Sequence, residues 1–158
     1  MPFTSLGGGA GTFVGCRLTK SANQTISASA TTAVSFDGEA FDTDGLHDNA
    51  TNNTRITNTL GVTAHFLVGG AVQFDTEQGD GSQILLRVNG STQIPGGYRL
   101  YSSAANAAGM ILPTTLVELA ANDYVEMVIV NGDAGGTIVV RGGASSPVYA
   151  SFWATALG

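Results

Sequence analysis

A chain of 158 residues is long enough to bury a full core as one domain. Its residues are 43% hydrophobic but only 11% charged, so surface polarity must come from Ser, Thr, Asn and Gly, a composition that suits β-structure and protein contacts. The excess of 12 acidic over 6 basic residues gives a net charge of −6, which argues against nucleic acid and anionic membranes as partners because neither could be neutralised.

The chain opens Met1-Pro2-Phe3-Thr4-Ser5-Leu6, without a cationic n-region or an apolar h-region, and this predicts synthesis without a signal peptide. Gly7, Gly8, Gly9 and Gly11 deny residues 1–14 a regular element. A flexible Gly-rich N-terminal arm is expected there, with Phe3, Leu6 and Phe13 as its candidates for attachment to a partner. Residues 15–158 form the expected domain, in which short apolar runs alternate with turn clusters and no long amphipathic helix is visible. Strands are predicted over 16–19, 32–36, 54–57, 64–74, 82–88, 92–94, 98–103, 110–118, 124–130, 137–141 and 148–154. Asn89-Gly90 is the strongest hairpin signal, since both central residues of a type I′ turn need positive φ. Asp37-Gly38, Asp44-Gly45, Asp80-Gly81 and Asn131-Gly132 mark further turns.

Several of these strands are apolar on both faces. In 124–130, Val125, Met127 and Ile129 alternate with Tyr124, Val128 and Val130 beside one charge, Glu126. In 64–74, Phe66, Val68, Val72 and Phe74 make one face, while Leu67, Gly69 and Ala71 leave the other small and nearly uncharged. In 148–154, Val148, Ala150 and Phe152 alternate with Tyr149, Ser151 and Trp153. An antiparallel sandwich layer ordinarily keeps one wet face, so a second apolar face points to contact between subunits, or to a long loop laid over it. Leu67, Tyr124, Val128, Val130, Tyr149 and Trp153 are the candidate subunit interface.

Recognisable catalytic chemistry is scarce. His47 and His65 are the only histidines, and His65 sits in a strand pattern, where a hydrogen-bonded structural role is expected. No nucleophile elbow or Cys/His/Asn signature is present, and Cys16 reads as a small buried hydrophobe. The glycines near the start have no preceding strand and no Gly-Lys-Ser/Thr to reach phosphate. The carboxylates Asp37, Glu39, Asp42 and Asp44, and again Asp75, Glu77 and Asp80, are spaced closely enough to suggest Ca²⁺. Asp42-Thr43-Asp44-Gly45 nevertheless lacks the downstream Glu of an EF-hand loop, and solvated turns are expected instead. Asn-x-Ser/Thr sequons beginning at Asn23, Asn49, Asn52 and Asn89 read as polar loops. No catalytic residue, cofactor or metal ligand is assigned, and the chain is expected not to be an enzyme.

A sequence of short motifs runs through most of the chain: Arg17-Leu18-Thr19, Val34-Ser35-Phe36, Phe41-Asp42-Thr43-Asp44-Gly45-Leu46-His47 and Asn53-Thr54-Arg55-Ile56-Thr57. His65 to Phe74, Leu85 to Gly90, Leu119 to Glu126 and a final aromatic strand with Phe152 follow in order. This order resembles the jelly roll of complement first-component q-type globular heads and tumour-necrosis-factor-like proteins, particularly versions found in bacteriophage virions. Ala64 and Asn122 stand where that family usually has Gly, which leaves the turn geometry there open. The resemblance implies an all-β, ten-stranded, two-sheet antiparallel jelly-roll sandwich, trimeric, with no catalytic residues. It implies a virion structural protein made in the host cytoplasm, either a trimeric capsid decoration (cement) protein or a head or tail fibre component. Its partners would be two further copies of itself and a larger protein lattice such as a major capsid protein. The alternative is a ligand- or carbohydrate-recognition, receptor-binding module using loops 37–53 and 75–82, in which Phe41 is the aromatic available for stacking.

Overall fold

The computed structural model describes residues 13–74, 82–100, 109–143 and 150–157, with residues 98–100 described by backbone alone. Phe3, Leu6 and Tyr149 therefore lie outside the described residues, as do Asp75, Glu77 and Asp80. Within the described residues the chain is all-β. The first strands are β1 (Gly15–Thr19), β2 (Gln24–Ile26), β3 (Thr31–Ala33), β4 (Gly38–Asp42), β5 (Arg55–Thr57) and β6 (Ala64–Gln73). They are followed by β7 (Gln83–Val88), β8 (Thr92–Leu100), β9 (Gly109–Leu119), β10 (Tyr124–Val130), β11 (Ile138–Val140) and β12 (Ser151–Leu157).

Sheet I has the order β4-β1-β12-β6-β9 and sheet II the order β3-β10-β7-β8, with β5 also paired to β10. β11 and β2 pair separately, and every pairing is antiparallel. Twelve strands replace the ten expected. The two main sheets account for ten, five in each with β3 and β5 sharing one edge of β10, and the two extra strands are β2 and β11, which pair separately.

The two sheets face each other across one apolar core. Period-2 alternation sends Phe66, Val68 and Val72 inward from β6, Phe152 and Ala154 from β12, and Val125, Met127 and Ile129 from β10. Phe36, in the loop after β3, stacks on Phe152 with ring centroids 5.7 Å apart. Buried polar side chains tie the loops to this core. Asn58 Nδ2 donates to the carbonyls of Val62, Leu119 and Ala120, while its Oδ1 accepts from the Leu60 N–H. Asn131 does the same at the other end, donating to Ser27 and Gly136 and accepting from the Asp133 N–H.

The turn chemistry follows the residues. Asn89 and Gly90 take φ of 51° and 74°, as a type I′ hairpin requires. Asn122 takes φ of 70°, so the chain keeps a left-handed position with an Asn in place of Gly. Residues 13 and 14, placed in the arm from sequence, are held against the domain. Val14 packs on the core, and its carbonyl accepts from the Ala156 N–H at 3.0 Å and Thr155 Oγ1 at 3.1 Å. Phe13 and Val14 thus belong to the domain.

Candidate functional site

The outward-facing positions of sheet I form a grid whose rows are set by strand register. One row crosses Glu118, His65 and Leu157; the next crosses Leu116, Leu67, Thr155 and Gly15. A third runs through Gly69, Trp153, Arg17 and Phe41, and a fourth through Ile111, Ala71, Ser151 and Thr19. The indole of Trp153 lies across Gly69, where a Cβ would come within 2.4 Å of it. Phe13 folds back over Gly15 in the same way and meets Phe41 edge-on, with centroids 5.8 Å apart.

This face collects the apolar side chains that the fold leaves in water. Ile111 is 69% exposed, Leu116 55%, Leu157 45% and Phe41 42%, and Phe13, resting on Phe41, is 56% exposed. Among the described residues only one other large apolar side chain is as open, Val62 in the loop before β6. Among the described residues, charge on the face is confined to Arg17 and to His65 with Glu118, the last two with side chains 3.2 Å apart.

The outer face of sheet II has the opposite character. Glu126 is buried there, accepting from Arg87 Nε at 3.0 Å and Thr54 Oγ1 at 3.1 Å, and Arg55 lies over the Tyr124 ring at 4.5 Å. Val128, paired with Leu85 and Ala33, is fully buried within the single chain. Of the six residues assigned to one interface from sequence, Tyr149 lies outside the described residues and the other five do not come together. Leu67 and Trp153 point out of sheet I, whereas Tyr124, Val128 and Val130 point out of sheet II, on the far side of the sandwich. Val128 needs no subunit to cover it, and further along the same strand Tyr124 and Glu126 are engaged by Arg55 and Arg87.

Leu116 was not legible as an outward residue for a physical reason. A strict period of two puts Leu116 and Glu118 on the same face as the core residues Met110 and Leu112. The register shifts opposite Gly69, where β9 sets two residues, Pro113 and Thr114, against one, and this single extra residue turns Val117 and Leu119 inward and Leu116 and Glu118 out.

The remaining titratable groups are absorbed by the fold. Asp42 accepts from the N–H groups of Asp44 and Leu46 on one oxygen and of His47 on the other. Backbone N–H groups of Thr51 and Ala50 hold the Asp48 carboxyl below its ordinary range. Burial works to raise Asp37, but hydrogen bonds from the Ser21 hydroxyl and N–H, with Lys20 nearby, hold it below its ordinary value. His47 is buried with its ring nitrogens 2.9 and 3.2 Å from the Arg55 and Phe36 carbonyls. Burial lowers the Lys20 amine, which donates to Ser35 O and Oγ at 3.0 Å each. Cys16 is buried and its thiol is pushed up to about 12, first by burial and then by Asp42, which makes it inert at neutral pH. Among the described residues, no three His, Cys, Asp or Glu are grouped to hold a metal ion.

No protein-family model matches the chain, and no curated protein matches it. Among solved structures it is similar to Eiger TNF from S. frugiperda, with a TM-score of 0.56 and 11% sequence identity over 92% of this chain and 93% of that one. At that identity the likeness establishes the fold, a TNF-like antiparallel jelly roll.

Proposed function

We propose that this chain is a non-enzymatic structural protein that assembles as a homotrimer through the outer face of sheet I and decorates a larger protein lattice, a virion capsid. The observation that carries the assembly is the concentration of exposed apolar side chains on that one face. Fully burying a side chain such as Leu116 or Ile111 is worth about 1.5–3 kcal/mol before the costs of association. Among the described residues the edges of the sandwich are poor templates for a further strand. β4, β8 and β9 are edge strands whose pairing is interrupted by a register shift, with Pro95 in β8 and Pro113 in β9, and the remaining edge, β3 and β5 along β10, offers only three residues in each strand. Bulges and prolines at edges block strand-to-strand growth, which leaves face packing and closed symmetry.

The decoration role rests on the resemblance to virion members of the jelly-roll family, and it gives residues 1–12 the task of attachment. The recognition-module alternative is less well supplied. In loop 37–53 the carboxylates of Asp37, Asp42 and Asp48 are engaged by the protein's own N–H groups, which leaves few groups to address a ligand. The test is co-sedimentation of the purified protein with assembled capsids made without it. Saturable binding in multiples of three, lost on deletion of residues 1–12, is expected; specific retention on a glycan array with no capsid binding would contradict the proposal.

A further inference from the structure

The outer face of sheet I is asymmetric. Its β4-β1-β12 half carries aromatic side chains, Phe13, Phe41 and Trp153, around one cation, Arg17. Its β6-β9 half carries aliphatic side chains, Ile111, Leu116 and Leu67, beside one carboxylate, Glu118. The Arg17 side chain makes no hydrogen bond or ion pair with the described residues, although it stands in register between Trp153 and Phe41 on this apolar face.

The two charges are too far apart to meet within one chain. Three strand spacings of about 4.8 Å separate β1 from β9, and two rows of the grid separate the residues along the strands, which together place them roughly 20 Å apart. The other acids of the sheet are poorly placed for Arg17. Glu39 and Asp42 stand at register positions opposite Leu18 and Cys16, which face inward, and both oxygens of Asp42 accept from its own loop.

We infer that the face is complementary to itself head to tail, and that Arg17 of one subunit pairs with Glu118 of the next. The inference rests on the self-assembly reading above and adds to it the partner group and the direction of packing. Covering this face with a second copy removes water from Arg17, and a guanidinium taken out of water without a counter-charge is strongly unfavourable. Bringing the β9 half of a neighbour onto the β1–β4 half supplies that charge, and it lays Ile111 and Leu116 against Phe41 and Trp153. A contact between two different halves of one surface is heterologous, and it closes as a ring when the rotation allows.

The test is a charge-reversal cycle, read as subunit mass by light scattering and as concentration for half-dissociation. Arg17 and Glu118 are both exposed in the single chain, so Arg17→Glu and Glu118→Arg should leave its circular dichroism unchanged. Each single reversal should weaken assembly on the order of tenfold or more, and the double reversal should restore most of the loss, as close interfacial charge pairs do in such cycles. A double variant as weak as the singles would overturn the pairing, and so would singles that assemble like the wild type. A wild-type protein that stays monomeric at high concentration would instead overturn the assembly reading itself, which separates the two failures.

Discussion

Trp153 and Gly69 face each other across β12 and β6, and the flat indole is held there because Gly69 presents no side chain. A methyl at Gly69 would lie 2.4 Å from the ring, so the indole must swing away. Gly69→Ala is expected to cost about 1–3 kcal/mol in thermal unfolding, the usual range for an added methylene that has no room. Trp153 is the protein's single tryptophan, so its emission reports the site directly and should move to the red as the ring enters water. An unchanged spectrum with unchanged melting would show that the ring does not depend on Gly69. At this scale the sequence was legible where a residue acts through its own chemistry. Cys16 reads as a buried, inert thiol and is one. Asn58 and Asn131 were not legible as structural hubs, because an Asn in a polar loop shows nothing of the carbonyls that surround it once the chain is folded.

The strands that announce themselves are those with side chains on the core, and β6, β10 and β12 all follow period-2 alternation inward. β2 and β4 were missed. Each has little apolar content of its own, Ile26 in one and Ala40 with Phe41 in the other, and each exists because a neighbour, β11 or β1, supplies its hydrogen bonds. Residues 92–94 and 98–103 read as separate strands because Pro95-Gly96-Gly97 stands between them; in the fold those residues form a bulge inside β8. The turn before β10 gives the test at this scale. Asn122 sits at φ of 70°, donates its N–H to the Asn58 carbonyl at 2.9 Å, and has no helix or sheet to hold it there. Asn122→Val should destabilise the domain by about 1–2 kcal/mol through left-handed strain alone, while Asn122→Gly should be close to neutral. Equal melting temperatures for the two variants would show that the turn is free to change conformation.

For the whole molecule, apolar patterning showed that second faces exist, but it did not show which of them lie on the same side. A strand's two faces are visible in one sequence; the side of a sandwich to which each outer face belongs is set by strand order, and strand order is a tertiary property. That is why Leu67 and Trp153 were grouped with Tyr124, Val128 and Val130, which the fold places on the opposite surface. In the assembly proposed above, the outer face of sheet I joins the subunits and that of sheet II does not. Sedimentation equilibrium at micromolar concentration tests it most directly, with the wild type compared with Leu116→Asp on sheet I and Val130→Asp on sheet II. Three times the 16.0 kDa chain mass is expected for the wild type and for Val130→Asp, and a single chain for Leu116→Asp. A trimer that survives Leu116→Asp and falls apart with Val130→Asp would contradict it.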